Sequence, residues 1–398
     1  MLLFFWCANG VLRGQETTTE STKATEENAA AEQAEEQKES LPRGELIEAA
    51  VGRLVQLQHE DGAWPYEGVY RVPAPGVKRP TRRDYVIPVG YRIGGTSIAC
   101  SALISAEVKD REALTSAVNR GTEMILKELK SPLMKPTQES FYDVRIWGHI
   151  YALDFLARLQ KAKGFDELKE KTKPHIQKLV DAVVFQQTKA GGWNYANRTQ
   201  HCCFVTAPAV HALMLAREAE ADVDDKVFEQ SLKILQESRK AELVFPYSGT
   251  RSRRDTAPGS VARAPVSEAT MLLLGDGDRE KLQQCIDAFH QHWDELEKRR
   301  KKNGTHLPPH GIAPYYFYYA HRYAAMAIRM LPEQQQDAEF KKFYEVLLRT
   351  KDDDNTWNDR VFEQSKAYGT SMSLLALSRD SVALPKKIKL AMKKEDSE

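Results

Sequence analysis

The strongest constraint in this sequence is a recurrence. Six segments begin with small or polar residues and run straight into an apolar helical pattern: 92–106, 145–159, 204–216, 263–274, 315–328 and 366–377. Their midpoints fall about 50–60 residues apart, the spacing of a repeated supersecondary unit. Each is apolar nearly all round, so each must be covered on both sides. A more polar helix precedes each one. In "LQQCIDAFHQHWDELEKRR", Leu282, Cys285, Ile286, Phe289, Trp293 and Leu296 form one stripe and the opposite face is charged, the pattern of a helix packed on one side. Alternating polar and apolar helices predict an outer and an inner ring, and six pairs predict an all-α (α/α)6 toroid. An open solenoid would need polar capping repeats, whereas the first and last pairs here are as apolar as the middle ones.

What lies outside the repeats sets the domain plan. Residues 1–15 hold a short apolar run, "MLLFFWCANG", resembling the hydrophobic region of a secretory signal with no cation before it. Residues 16–41 follow; the stretch "ETTTESTKATEENAAAEQAEEQKES" contains no aromatic or branched aliphatic residue and reads as a disordered acidic linker. The toroid is expected over 42–381, with a basic tail at 382–398. This order suits an extracytoplasmic protein, periplasmic or secreted. No later segment approaches the ~18 apolar residues of a membrane span. The net charge of +1 over 398 residues excludes a strongly cationic nucleic-acid binder. Cys100, Cys202, Cys203 and Cys285 sit within apolar segments and are expected as buried free thiols.

Three loops sharpen the fold. "LVQLQHEDGAW", "VVFQQTKAGGWNY" and, more degenerate, "LLRTKDDDNTWND" resemble the Gln–Trp repeats of the terpenoid (squalene/hopene) cyclase and protein prenyltransferase toroids. Gln58, Gly62 and Trp64 match the motif, as do Gln187, Gly191 and Trp193; the third repeat keeps Trp357. The resemblance implies an outer helix ending at the Gln and an inner helix after the Trp. It also implies chemistry that can be checked. Class II cyclases carry an Asp-x-Asp-Asp acid followed by Thr-Ala, and such an acid needs burial and neighbouring carboxylates to stay protonated. Here Thr206 and Ala207 match, but Cys202, Phe204 and Val205 stand at the aspartate positions. The literal match at Asp222, Asp224 and Asp225 opens an outer helix, where Asp is a cap. Prenyltransferases hold zinc through Asp, Cys and His; Cys202, Cys203 and His211 do not share one face at ligand spacing, so neither a metal nor another cofactor is expected.

Polar residues near the starts of the inner helices should point into one mouth. The candidate ligand-binding residues are Thr96, Arg145, Thr206, Arg263, Tyr316, Tyr319, Arg322 and Thr370. The candidate catalytic residues are His149, Glu268, His321 and Tyr368; Glu268 stands out because a Glu flanked by apolar residues needs a partner or a role. "PYYFYYAHRY" offers an aromatic wall suited to sugar rings or a polyisoprenoid. Long loops carry Arg71, Arg82, Arg83, Arg92, Arg251, Arg253 and Arg254, which suit carboxylate or phosphate groups. Three functions follow: a toroid holding a small-molecule, lipid or isoprenoid ligand without the protonating acid; a carbohydrate-active lyase or hydrolase of acidic glycans; or a protein-binding scaffold. The second predicts that His149, Glu268, His321 and Tyr368 converge on an open polar cavity, and the first predicts a deep apolar one.

Overall fold

Helix follows helix in the order the apolar pattern dictates. The computed structural model describes residues 42–74, 76–137, 144–195, 200–250, 255–388 and 390; the signal-like segment and the acidic linker lie outside them. From Arg43 the chain forms one unit. Its first half runs α1 (Arg43–Gln56), a two-stranded hairpin of β1 (Val72–Pro73) and β2 (Tyr85–Val86), α2 (Val89–Ser105), α3 (Glu112–Glu128), α4 (Arg145–Leu159), α5 (Asp166–Phe185) and α6 (Cys203–Glu218). The second half runs α7 (Asp225–Ser238), α8 (Ala264–Leu273), α9 (Arg279–Gln291), α10 (Tyr316–Ile328), α11 (Glu333–Leu348) and α12 (Lys366–Leu377).

Odd-numbered helices are outer and even-numbered helices inner. Every residue of α4 is buried, whereas α9 buries only Leu282, Cys285, Ile286 and Phe289. Around the inner ring α2 packs on α4, α4 on α6, α6 on α8, α8 on α10 and α10 on α12, and α12 returns to α2. The ring is closed, so the fold is an (α/α)6 toroid. Outer helices start where the sequence supplies caps: Asp224 accepts the Lys226 N–H at 2.9 Å and Asp278 that of Glu280 at 2.8 Å, satisfying donors a helix start leaves open.

The Gln–Trp repeats lock outer to inner helices. After each outer helix a tight loop closes, His59 N–H to the Ala63 carbonyl (2.9 Å), Thr188 to Gly192 (2.9 Å) and Asp352 to Thr356 (2.8 Å). The next residue is the buried Trp. Its indole N–H donates to a carbonyl ten residues back, on Leu54 (2.7 Å), Val183 (2.7 Å) and Leu347 (3.2 Å) respectively. Its backbone N–H donates to a threonine Oγ1 on the next inner helix: Thr96 (2.9 Å), Thr206 (3.0 Å) and Thr370 (3.1 Å). Gly62 and Gly191 take φ of 87° and 90°, where a Cβ is disfavoured. In the third repeat Asn355 fills that place at φ 60°, Asn being among the side chains that tolerate it. A fourth lock carries no Gln–Trp signature. Lys240 N–H donates to the Val244 carbonyl (2.9 Å), Leu243 has φ 55°, and Phe245 donates its backbone N–H to Ser260 Oγ (2.8 Å).

Candidate functional site

Two residues past each lock, the chain reaches the mouth of the toroid. That position holds Tyr66, Tyr195 and Tyr247 in three repeats, and all three line one cavity of about 220 Å³. The remaining wall comes from Tyr91 on α2, Trp147 on α4, Tyr315 and Tyr319 at the start of α10, Tyr368 on α12, and loop residues Gly68, Val69, Tyr70, Thr305, His306 and Arg360. The rings pack on one another, Tyr66 standing 4.9 Å from Tyr368, 5.0 Å from Tyr91 and 5.6 Å from Trp147 between centroids. The lining is therefore aromatic but not apolar, since each Tyr also carries a hydroxyl.

In the repeat of Trp357 the position two past the lock is Asp359. It is 0% exposed, and neither carboxylate oxygen has a hydrogen-bond donor. Burial pushes its pKa up to about 7, against the pull of Arg360, of the nearby Asp359 and Tyr318 backbone N–H groups, and of Arg300. The next residue, Arg360, is 4% exposed and lines the cavity. Its guanidinium lies over the Phe362 ring at 5.4 Å and, among the described residues, is paired with no carboxylate. A buried guanidinium without a counter-charge is costly. Among the described residues only the Phe362 face lies against it while Asp359 stays protonated.

A hydrogen-bonded chain stands elsewhere on the same wall. Tyr247 and Tyr315 share a hydrogen bond between hydroxyls at 3.0 Å, and the Tyr315 hydroxyl lies 3.3 Å from His306 Nε2. His306 Nδ1 faces the Gly311 carbonyl at 3.3 Å; a carbonyl can only accept, so Nδ1 carries the hydrogen and Nε2 is the acceptor. Desolvation holds the His306 pKa below its ordinary value. It is thus a neutral base at neutral pH. Burial raises Tyr368 and Tyr315 well above the ordinary phenol value, so these hydroxyls keep their protons.

The four residues read from sequence as catalytic do not converge. Tyr368 lines the cavity, but His149, Glu268 and His321 face the seam between the rings. Gln186 donates to His149 Nδ1 at 2.9 Å, and burial drops this His to about 4. His321 accepts the Trp293 indole N–H at 2.9 Å, donates to the Phe317 carbonyl at 2.8 Å, and is pushed down to about 3 by burial. Both are neutral staples. Glu268 meets Arg239 at 3.1 Å, and burial still raises it above the usual carboxylate value. Among the ligand-binding candidates, Thr96, Thr206 and Thr370 are lock acceptors. Arg263 is held by the Phe245 carbonyl (2.6 Å), the Gly259 carbonyl and Asp255 (2.6 Å), and Arg145 donates to the Lys135 carbonyl. Tyr319 lines the cavity, with its hydroxyl given to the Phe204 carbonyl at 3.2 Å. Tyr316 stands behind, stacked on Phe204 at 4.3 Å, its hydroxyl 3.1 Å from His306 Nδ1. Arg322 does not line this cavity; it lines a smaller space with Arg158, Arg329 and Arg379. Of the loop arginines, Arg71 pairs with Glu67 and Arg92 with Asp61 and Glu128; Arg251, Arg253 and Arg254 fall outside the described residues. Cys202 and Cys203 are buried free thiols, raised by burial to about 12 and about 11.

His306, Asp359 and Arg360 escaped the sequence reading. A usable signal existed for the last two: aligning the three Gln–Trp loops puts Asp359 in register with Tyr66 and Tyr195. His306 lies in a loop outside the repeat and left no such trace.

No protein-family model matches the sequence, and no curated protein matches it. Solved structures do. The GH76A α-1,6-mannanase of Salegentibacter sp. HEL1_6 superposes with a TM-score of 0.52 at 13% identity, covering 86% of this chain and 100% of that one. An inactive variant of the same mannanase, in complex with α-1,6-mannotriose, gives 0.50 at 12%, covering 85% and 99%. A glycoside hydrolase family 76 mannosidase of Bacteroides thetaiotaomicron VPI-5482 gives 0.50 at 10%, covering 85% and 99%. At these identities the likeness is one of fold. It supports the α/α toroid and lends nothing to the cyclase and prenyltransferase families that the Gln–Trp loops resemble.

Proposed function

We propose that the protein binds an acidic sugar in its tyrosine-lined cavity and cleaves the glycan by elimination. One observation carries this reading: Arg360 is a buried guanidinium, with no carboxylate partner among the described residues, in a cavity walled by flat amphipathic rings. Aromatic faces suit sugar rings, and a guanidinium matches a carboxylate in charge and bidentate geometry. The cavity is smaller than the ~300–1,000 Å³ of drug-sized sites, which fits one ring or a chain end. That solved neighbours of this fold are glycoside hydrolases, one of them in complex with mannotriose, supports a glycan over a lipid.

The lining also favours one reaction type. Glycoside hydrolysis of the usual kind places two carboxyl groups about the scissile bond, and among the described residues no carboxylate lines the cavity. Elimination needs other groups. Arg360 pairs with the uronate carboxylate and disperses the charge that develops there. His306 Nε2 takes the proton α to the carboxylate. The β-carbon–oxygen glycosidic bond then breaks as the double bond forms, and a protonated tyrosine hydroxyl, Tyr368 on this reading, supplies the leaving oxygen's proton. The signal-like start supports an extracytoplasmic site of action, which cell fractionation would test.

The experiment is incubation with polyuronate, following the absorbance of the unsaturated uronate end. Wild-type protein should generate it, and Arg360→Met and His306→Gln should not. Saturated oligosaccharide products from the wild type would replace elimination with hydrolysis.

A further inference from the structure

The opposite end of the inner ring holds a second space that the proposed function does not use. It has about 20 Å³ of room, among Arg158, Arg322, Arg329 and Arg379, next to residues 382–384. That is enough for one water-sized particle and little more. Charge there is out of balance. Asp154 is buried and already held by Arg158 at 2.8 and 2.9 Å. Arg379 meets the largely exposed Asp337 and Asp380 at 3.6 and 3.5 Å. Among the described residues no carboxylate stands within ion-pair distance of Arg322 or Arg329. Arg329 donates to the Val382 carbonyl at 2.6 Å; burial, with Arg158 and Arg379 nearby, lowers its pKa against the pull of Asp380. Arg322 is 8% exposed and lies over the Tyr323 ring at 5.3 Å; it shares the field of Asp154 with Arg158, and its Nε has no acceptor.

We propose that this space is a site for one monoatomic anion, a halide, bound by Arg322 and Arg329. An anion there supplies the missing acceptor and offsets cations that burial has stripped of water. It also has a mechanical consequence. The chain after α12 is tied across this end by Arg158 to the Ala383 carbonyl (2.6 Å), by Arg329 to Val382, and by Ile388 N–H to the Leu273 carbonyl (2.9 Å). Halide binding would hold those arginines, and hence the strap, in place.

Two measurements test it. Crystals of the wild-type protein soaked in sodium bromide should show an anomalous peak between Arg322 and Arg329; a map without that peak overturns the proposal. Thermal unfolding in sodium chloride against sodium gluconate at equal ionic strength should show a saturable chloride-specific rise of roughly 2–4 °C. Arg329→Met, at the edge of the site, should abolish that rise. An equal chloride response in wild type and variant would assign the effect to surface ions and refute the site. Should the variant fail to fold, the wild-type bromide map still decides.

Discussion

Replacing Asp359 by Asn should stabilise the protein at neutral and alkaline pH. The carboxyl is fully buried, both oxygens lack donors, and its pKa stands at about 7 against an ordinary 3.8. In the unfolded chain the group ionises near its ordinary value. Between about pH 4 and 7 the folded state therefore holds a proton that the unfolded state has lost, and stability falls as pH rises. The slope is about 1.4 kcal/mol per pH unit, and the total from the gap between about 7 and 3.8 is about 4 kcal/mol, level above pH 7. Asn has the same shape and carries no proton to lose. The difference between variant and wild type isolates this one group, since every other titrating residue is common to both. Guanidinium unfolding at pH 4, 5, 6, 7 and 8 should give curves that nearly coincide at pH 4 and diverge, Asn above Asp, up to pH 7. A variant less stable than wild type at pH 8 would refute the reasoning, because Asp359 would then be an ionised, paired carboxylate and Arg360 would not be free.

The remaining predictions concern the assigned roles. Thr206→Val removes the acceptor of the buried Trp193 N–H and should cost about 1–3 kcal/mol in denaturant unfolding, with uronate affinity unchanged; a large loss of affinity at unchanged stability would return Thr206 to the site. Gly191→Ala places a Cβ 2.5 Å from the Gln230 carbonyl at φ +90° and should lower stability by roughly 1–3 kcal/mol. Glu268→Gln should leave product formation within about twofold of wild type, whereas His306→Gln should reduce it about 100-fold or more; the reverse pattern would make Glu268 the acid/base. Uronate affinity should weaken as pH rises through about 7, where Asp359 ionises beside Arg360, and titration calorimetry at pH 6 and 8 measures it.

The rings were legible because they rest on period and burial, which one sequence displays. Apolar-all-round segments had to be inner, one-striped segments outer, and the Gln-x-x-x-Gly-x-Trp loops marked where one gives way to the other. The fourth lock was hidden because backbone geometry, not side-chain identity, defines it: Phe245 and Ser260 do the work of Trp and Thr, and Leu243 takes the glycine's φ. Site residues were harder for a related reason. Thr96, Thr206 and Thr370 sit where a ligand-facing residue would sit, yet each hydroxyl is consumed by a tryptophan N–H. Glu268 and His321 are conspicuous in an apolar helix, but helix period alone does not tell the cavity side from the seam between rings. Arg360 and Asp359 lie in an irregular loop, where no period operates and only the register of the locks points inward.

The most direct test of the account is calorimetric titration of the protein with a uronic acid oligosaccharide and with the neutral hexose oligosaccharide of the same linkage, repeated on Arg360→Met. The unpaired guanidinium in the aromatic cavity predicts at least about a tenfold preference for the uronate, about 1.4 kcal/mol, and its disappearance in the variant. Equal affinity for the two sugars, or a preference that survives the loss of Arg360, would contradict it.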